Sequence, residues 1–378
     1  MSLNIFVPQE TADNEPRVGA SPDTVKKLVG AGHSVTVQKG AGAASQIPDA
    51  DFESAGAKLA TATAGKSADV ILRVRRPSTA ELKNSKKGAA IFAIMDPWDA
   101  GKDMDAMAKA GVSSFSMELM PRITRAQSMD VLSSQANLAG YQAVIEGAAH
   151  YDRAMPMMMT AAGTVPAAKV FVMGAGVAGL QSIATARRMG AVVTATDVRA
   201  AAGEQVESLG AKFIMTEELK DASGDGGYAR ELTDDEKKAQ AELVAGHISK
   251  QDIVVTTALI PGRPAPKLVS ADMVAGMKAG SVIVDIAVDR GGNVAGAKPG
   301  EVVKTKNGVS IVGFTNMPGR LAASASALYA KNLLTFLEIM VDKETGGLTI
   351  DPEEELIKAT LLTHVGEIVH PNFAPEKA

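Results

Sequence analysis

Three glycines between an apolar run and an amphipathic run restrict the fold of this chain more than any other feature. Gly174, Gly176 and Gly179 form the pattern G-x-G-x-x-G after KVFVM and at the start of GLQSIATARRMG. After a strand and before a helix, this spacing is typical of the dinucleotide-binding turn of a doubly wound α/β sheet. The first glycine allows the tight turn, the second lets the backbone approach a pyrophosphate, and the third permits close helix packing. An ordinary turn with a packing glycine is the alternative.

An acidic residue at the end of the next predicted strand favours nucleotide binding. Asp197 ends AVVTATD, where the fingerprint places a carboxylate that accepts hydrogen bonds from ribose hydroxyls. A carboxylate there repels a 2′-phosphate and predicts NAD(H) rather than NADP(H), although Arg199 argues the other way and Asp197 could instead cap the following helix. The predicted nucleotide-binding residues of this segment are Gly174, Gly176, Val177, Ala178, Gly179, Asp197, Val198 and Arg199.

Strand and helix patterns alternate twice along the chain, over the first 120 residues and again after residue 165. Strands separated by helices predict parallel sheets. Ser21 and Pro22 predict the start of the first helix. Long helices near residues 128–148 and 324–343 predict that the tail returns to the first domain. The predicted fold is α/β, with two Rossmann-like, doubly wound parallel-sheet domains and a cleft between them: residues 1–137 with 321–378, and residues 138–320.

Two further segments follow strand patterns of the second domain. TTALIPGRPAP follows the fourth strand and DIAVDRGGN the fifth. Open α/β sheets bind ligands at the carboxyl ends of their strands, so both segments are expected near the nucleotide, with ordinary turns as the alternative. The residues predicted to contact it are Thr257, Ala258 and Leu259.

Composition argues against several other classes of protein. The net charge of -4, with both signs interspersed, offers no basic stripe for nucleic acid. The chain has no cysteine, and its five histidines show no metal spacing, so no disulfide or metal site is predicted. No apolar run approaches a spanning helix and the N-terminus lacks a signal-peptide plan, which predicts a cytoplasmic protein that reaches a membrane only through a partner.

Over nearly its whole length the sequence resembles the alanine dehydrogenase and nicotinamide nucleotide transhydrogenase superfamily. RVGASP, GAGAASQIPD, TTALIPGRPAP, DIAVDRGG and TNMPGR carry this likeness. SMELMPRITRAQSMDVLSSQANLAGYQAV and PMMMTAAGTVPAAKV look like the NAD(H)-binding component of proton-translocating transhydrogenases. Alanine dehydrogenases carry a lysine and a histidine where this chain has Arg75 and Asp96. An amino-acid dehydrogenase is therefore the less favoured alternative, and a non-catalytic NAD-sensing module is another.

The resemblance gives a role to the polar run PRITRAQSMDVLSSQ, which contains no histidine, lysine or cysteine. It implies that Arg122 and Gln127 contact the nicotinamide carboxamide and ribose, and that Asp130 and Ser133 complete the set. Oxidising an alcohol or amine needs a proton acceptor, whereas hydride transfer between two nicotinamides needs only apposition of the rings. If the run is helical, Gln127, Asp130 and Val131 share a face. A polar surface face is the alternative.

The resemblance also implies a partner. With one dinucleotide fingerprint, the chain would pass hydride from NADH to NADP⁺ held on a separate subunit. It would be a homodimer docked on membrane-spanning transhydrogenase subunits at the cytoplasmic face of the inner membrane. Residues 216–238 are predicted to form an inserted loop, in which Gly227 and Tyr228 would close over bound nucleotide. A plain solvated loop is the alternative.

Overall fold

The computed structural model describes residues 2–216, 230 and 232–374. The chain forms two compact units. Unit 1 comprises Met1–Gln135 with Gly319–Ala378, and unit 2 comprises Ala136–Pro318. The domain limits expected from the sequence, 1–137 with 321–378 and 138–320, remain a prediction.

Both units are built from short strands joined largely by helices. The strands are β1 (Asn4–Val7), β2 (Ser34–Gln38), β3 (Lys58–Ala60), β4 (Val70–Arg75), β5 (Ala90–Ile94), β6 (Ser113–Ser116), β7 (Met158–Thr160), β8 (Gly163–Val165), β9 (Lys169–Met173), β10 (Val192–Thr196), β11 (Lys212–Phe213), β12 (Ile253–Thr256), β13 (Val282–Asp285), β14 (Val302–Lys304), β15 (Ser310–Val312), β16 (Leu361–His364) and β17 (Glu367–Ile368).

Two of the described helices, α5 and α10, are longer than the others. The helices are α1 (Pro22–Gly30), α2 (Asp49–Ser54), α3 (Thr79–Leu82), α4 (Gly101–Ala110), α5 (Val131–Ala149), α6 (Val177–Arg188), α7 (Ala202–Ser208), α8 (Asp234–Ile248), α9 (Ala271–Ala275), α10 (Ala322–Glu338) and α11 (Glu355–Thr360). As predicted, Ser21 caps α1 and Pro22 is its first residue. Within the described ranges, no helix is long and apolar enough to cross a membrane.

The sheet of unit 1 has the strand order β17-β16-β6-β5-β4-β1-β2-β3. Strands β6 to β3 are parallel, whereas β16 is antiparallel to β6 and β17 to β16. Helix α10 covers this sheet through Phe336, which meets Phe92 and Phe115 edge to face with ring centroids 5.3 and 5.6 Å apart. All three rings are fully buried. The chain therefore returns to this sheet after unit 2.

The sheet of unit 2 has the order β11-β10-β9-β12-β13-β15-β14 and is parallel except for β14. Its first strand, β9, lies in the interior, and the chain adds β10 and β11 on one side and β12 and β13 on the other. The topology reverses between β9 and β12, where doubly wound sheets bind ligands. The predicted α/β class with two parallel, Rossmann-like sheets is confirmed.

The sequence patterns located the central strands but not the short peripheral ones β3, β14, β16 and β17. These strands have two to four residues, and three of them form sheet edges. An edge strand is buried less completely, so its sequence carries a weaker apolar pattern.

The loop predicted for residues 216–238 ends earlier than expected, because residues 234–238 belong to α8. Thr233 and Glu236 form a capping box: the Thr233 side chain accepts from the Glu236 N–H, and the Glu236 carboxylate accepts from the Thr233 N–H at 2.8 Å. Asp234 and Asp235 lie in the first turn, where negative charge interacts favourably with the helix dipole. This acidic segment therefore includes a helix start and is not entirely a solvated insertion.

Within unit 2, helix α5 lies directly against the start of α6. A Cβ added to Gly140 would lie 2.0 Å from the carbonyl oxygen of Ala178. The Ser182 hydroxyl lies 2.9 Å from the carbonyl oxygens of both Gly140 and Ala178, as donor to each. The two helix backbones can approach this closely only because residue 140 has no side chain.

We expect Gly140→Ala to lower the free energy of unfolding by about 1–3 kcal/mol, since an overpacked contact forces the backbones apart. Gly246→Ala is the matched control: it also lies inside a helix, but an added Cβ meets no described atom within 4 Å. That change should stabilise the protein by about 0.5–1 kcal/mol. Urea denaturation measures both, and equal effects of the two changes would refute the close contact.

Candidate functional site

The predicted nucleotide-binding residues of unit 2 follow three adjacent strands. The glycine turn follows β9, Asp197 follows β10, and Thr257 follows β12. Because these strands are parallel neighbours, their carboxyl ends meet at one edge of the sheet. The residues that were grouped from separate segments of the sequence therefore lie together at the topological switch point.

The glycine turn is held by contacts that exclude side chains. Gly174 has a φ of 101°, in the region that favours glycine, and an added Cβ would lie 2.5 Å from the Thr257 hydroxyl oxygen. That hydroxyl lies 3.2 Å from the carbonyl oxygens of Met173 and Gly174, as donor to both. A Cβ on Gly179 would lie 1.8 Å from the Gly174 carbonyl oxygen. Thr257 thus joins the end of β12 to the turn after β9.

The N-terminus of α6 is not covered by these contacts. Its N-cap residue, Gly176, is extended and makes no side-chain cap, and an added Cβ there would meet no described atom within 4 Å. Val177 is exposed, whereas Ala178 is buried against α5. Uncapped N–H groups at a helix N-terminus bind anions, including phosphates. Protein packing therefore does not require glycine at position 176.

The Asp197 carboxylate joins the glycine turn to the end of β10. Its Oδ2 accepts from the Ala175 N–H at 2.7 Å and from Arg199 Nη2 at 2.8 Å. Its Oδ1 accepts from the Arg199 N–H at 2.9 Å and from Arg199 Nε at 2.8 Å. Burial acts to raise the pKa of this carboxyl, but the hydrogen bonds from Arg199 and Ala175 outweigh it and hold the pKa below its ordinary value. Asp197 is therefore ionised at neutral pH.

Asp197 does not cap the next helix, which was the alternative interpretation. Helix α7 has Ala201 as its N-cap, without a side-chain hydrogen bond. Val198 and Arg199 are half-buried between Asp197 and that helix. The carboxylate is directed to the glycine turn instead.

A residue that the sequence did not single out holds the segment after β12. Asn293 is fully buried, and its side-chain oxygen accepts from the Ala258 N–H at 3.1 Å. Its side-chain nitrogen donates to the carbonyls of Ala258, at 2.9 Å, and of Pro266, at 2.8 Å. Ala258 is half-buried, while Leu259 is exposed. Asn293 thus holds the segment Thr257–Leu259 through the N–H and carbonyl of Ala258.

Asn293 is held in place by the turn before it. The preceding Gly292 has a φ of 73°, and its added Cβ would lie 2.6 Å from Asp285 Oδ2. Asp285 is fully buried and accepts from the N–H groups of Ala287 and Val294, both at 3.0 Å. Burial raises the pKa of the Asp285 carboxyl. The signal for Asn293 in the sequence was its position after two glycines, in GGN.

The polar run of unit 1 is not one continuous helix, so the condition for the shared face of Gln127, Asp130 and Val131 is not met. Residues Thr124–Met129 form a 3₁₀ turn, Asp130 is extended, and α5 begins at Val131. Gln127 is exposed, whereas Val131 is fully buried in the core of unit 1. The core requires Met129 and Val131 to face inward, and this requirement sets the direction of Asp130 between them. Arg122 is exposed as well.

Asp130 and Ser133 interact with each other. The Asp130 carboxylate accepts from the Ser133 N–H at 2.9 Å and from the Ser133 hydroxyl at 2.5 Å. This is the hydrogen bonding of a helix N-cap, and it fixes the start of α5. The structure therefore brings these two predicted site residues into contact. Gly227 and Tyr228 of the predicted lid lie outside the described residues.

Arg75 and Asp96, which stand at the positions that distinguish alanine dehydrogenases, both make contacts within unit 1, Arg75 through its guanidinium and Asp96 through its main chain. Arg75 Nε is 2.7 Å from a Glu15 carboxylate oxygen, and the same oxygen is 2.6 Å from Arg17. The Asp96 N–H donates to Glu118 Oε1 at 2.5 Å. A guanidinium remains charged in proteins and accepts no proton, so Arg75 cannot act as a base. No cluster of three or more metal-ligating side chains occurs in the described stretches of the chain.

We expect Asn293→Ala to lower the free energy of unfolding by at least about 2 kcal/mol, because it leaves polar groups of Ala258 and Pro266 without partners. Amide hydrogen exchange at Ala258 should accelerate with it. Asn307→Ala is the control: the Asn307 amide holds three other carbonyls, so its loss should destabilise the protein but leave exchange at Ala258 unchanged. Equal acceleration in both variants would contradict the role of Asn293.

Comparisons with known proteins place the chain in a family. The alanine dehydrogenase/PNT N-terminal domain model matches residues 6–139, and the corresponding C-terminal domain model matches residues 143–371. The first portion of the NAD(P) transhydrogenase alpha subunit of Rhodospirillum rubrum is 52% identical over 385 residues, covering 100% of both chains. The alanine dehydrogenase of Mycobacterium tuberculosis (strain ATCC 25618 / H37Rv) is 34% identical over 79% of this chain and 76% of its own length.

Solved structures show the same relation. The crystal structure of transhydrogenase from Sinorhizobium meliloti is 60% identical and has a TM-score of 0.88, covering 97% of this chain and 100% of that one. An L-alanine dehydrogenase is 25% identical with a TM-score of 0.81, covering 98% of each chain. The chain therefore belongs to the alanine dehydrogenase/PNT family.

Proposed function

We propose that the chain is the NAD(H)-binding component of an NAD(P) transhydrogenase and passes hydride from NADH to NADP⁺ held on a partner subunit. The observation that carries this proposal is the full-length likeness to a relative whose name places it in the alpha subunit of such an enzyme. Alanine dehydrogenase is a more distant relative, at 34% identity. The word "subunit" in the relative's name supports the existence of partners.

The proposed nucleotide site is the carboxyl edge of the sheet in unit 2. The N–H groups at the start of α6, from Val177 to Gly179, would bind the pyrophosphate. The Asp197 carboxylate, ionised at neutral pH, would accept hydrogen bonds from the adenosine ribose. Asn293 would act indirectly, since it positions the segment Thr257–Leu259 through the Ala258 peptide groups.

The chemistry assigned to unit 1 is positioning. Arg122, Gln127, Asp130 and Ser133 would orient the nicotinamide by hydrogen bonds and take no proton from it. When bound, NADH supplies the hydride itself, and transfer between two nicotinamide carbons moves no proton at the reacting atoms. The residues need only hold the ring so that its C4 lies roughly 3–3.5 Å from that of the partner nucleotide. The absence of a histidine, lysine or cysteine from residues 121–135 fits this role.

We further propose that the chain forms a homodimer and reaches the membrane through membrane-spanning partner subunits. The feature that supports self-association is the hairpin β7–β8, whose three strand residues Met158–Thr160 are all exposed. Met157, Met158 and Met159 are 61%, 43% and 79% exposed. Consecutive exposed methionines are unusual on a free surface and typical of adaptable binding surfaces.

An amino-acid dehydrogenase is the rival enzyme, because the family includes alanine dehydrogenases. The ion pair of Arg75 with Glu15 argues against a dehydrogenase, since position 75 would then have to supply a group that accepts or donates a proton. A sensing module would bind NADH without passing its hydride on. Activity with an NADP-binding partner separates the proposed function from both.

We expect the protein to bind NADH more tightly than NADPH, because the Asp197 carboxylate accepts from ribose hydroxyls and repels a 2′-phosphate. Asp197→Ala should weaken NADH binding by about ten- to a hundredfold, which is the effect of losing one charged hydrogen-bond partner. It should also reduce the difference between the affinities for NADH and NADPH. Fluorescence titration with each cofactor measures this. Equal binding of NADH and NADPH by the unmutated protein would exclude the assigned role of Asp197.

Mixed with the soluble NADP-binding domain of a transhydrogenase, the protein should transfer hydride from NADH to an NADP⁺ analogue without a membrane. Gln127→Asn should slow this transfer about a hundredfold with little change in NADH affinity, because a misplacement of about 1 Å has that effect on the rate. Stopped-flow absorbance follows the reaction.

Gln205→Asn is the matched control, since it makes the same change at an exposed position of α7. It should leave the rate unchanged. An unaltered rate in Gln127→Asn would refute the role of Gln127. Alanine oxidation by the protein alone would favour the dehydrogenase, and NADH binding without any transfer to a competent partner would favour the sensor.

A further inference from the structure

Every hydrogen-bonding position of the Asp197 carboxylate is used within the protein. Its two oxygens accept four hydrogen bonds, of 2.7–2.9 Å, from the Ala175 N–H, the Arg199 N–H, Arg199 Nε and Arg199 Nη2. An ionised carboxylate has about four acceptor sites. Arg199 supplies three of the four donors, and two of these belong to its guanidinium.

This saturation conflicts with ribose binding. Two ribose hydroxyls that donate to Asp197 need acceptor sites that are already filled, so protein donors must withdraw. The Ala175 N–H belongs to the glycine turn, where Gly174 is bound to the Thr196 carbonyl at 2.8 Å and Ala175 is buried. The Arg199 N–H is also main chain. The guanidinium is the donor able to move, because its side chain is 22% exposed and rotates about several bonds.

We propose that the Arg199 guanidinium competes with the adenosine ribose for Asp197 and sets how strongly the protein discriminates NADH from NADPH. It leaves the carboxylate when NAD(H) binds, so NADH binding includes the breaking of an ion pair. This inference rests on the proposed function, since it assumes that the site takes a dinucleotide.

The displaced guanidinium acts in the opposite direction on NADPH. A guanidinium released from Asp197 remains close to the ribose, because Arg199 follows Asp197 by only two residues and its N–H stays on the same carboxylate. Its fork of donors matches a phosphate. Arg199 therefore weakens NADH binding and assists NADPH binding, so that the preference for NADH is smaller than Asp197 alone would give.

Arg199→Ala tests this inference in the full chain, by fluorescence titration with NADH and NADPH. NADH should bind about three- to fivefold more tightly, which is the range for a partly exposed ion pair that no longer has to break. NADPH should bind about tenfold more weakly, because a charge-assisted contact is lost. The two affinities thus change in opposite directions, which a purely structural arginine would not produce.

Two further variants make the result specific. Arg199→Lys retains a cation but not the two-donor fork, so NADPH binding should stay near that of the unmutated protein while NADH binding improves slightly. It also serves if Arg199→Ala unfolds, which thermal denaturation reveals. Arg188→Ala removes an exposed arginine from the last turn of α6 and should change neither affinity.

The inference would be overturned if Arg199→Ala weakened the binding of both NADH and NADPH, or changed neither affinity. An effect of Arg188→Ala equal to that of Arg199→Ala would also overturn it. The titration needs no partner subunit, so a protein that shows the opposed changes but transfers no hydride would refute the proposed function alone. Failure of the unmutated protein to bind NADH would overturn both.

Discussion

The hydrogen bond from the Ala175 N–H to Asp197 is the interaction on which the candidate site depends. It joins the turn after β9 to the end of β10, in a buried position where a charged acceptor contributes about 1.5–3 kcal/mol. It requires a left-handed residue at Gly174, which turns the next N–H toward the carboxylate, and an ionised carboxyl, which Arg199 helps to maintain. The start of α6 and the segment after β12 are then positioned around this contact.

Both units share one fold class, yet they use the reversal points of their sheets differently. In unit 1 the reversal lies between β1 and β4, and there the buried Glu10 carboxylate accepts from the N–H groups of Val74, at 2.7 Å, and Arg75, at 3.3 Å. Burial raises the pKa of Glu10. In unit 2 the reversal lies between β9 and β12. Helix α6 follows β9 there, and its N-terminus has no side-chain cap. The protein satisfies the reversal point of unit 1 with a buried carboxylate, and it leaves the backbone donors at that of unit 2 without a side-chain cap.

Local patterns predicted much of this arrangement, because the glycine turn, Asp197 and the α1 cap each depend on residues close in sequence. Contacts distant in sequence were not predictable in the same way. Asn293 follows β13 and binds Ala258, which follows the neighbouring strand β12. Its role depends on the geometry of the turn before it, which the sequence GGN does not define. The helical face of Gln127 and Val131 does not form, because Thr124–Met129 is a 3₁₀ helix and Asp130 is extended before α5 begins at Val131. Charge alone does not distinguish a capped helix from a solvated segment, so the sequence predicts a loop where α8 begins.

We propose that hydride passes directly between two nicotinamides, one held by this chain and one by its partner, and that no protein group takes a proton. Transfer from NADH that carries deuterium at both positions on C4 tests this most directly, in a mixture with an NADP-binding domain in ordinary water. Mass spectrometry should find one deuterium in each NADPH formed, since the transferred hydrogen never meets solvent. Loss of the label to water would show that a protein group mediates the transfer, and would contradict the account.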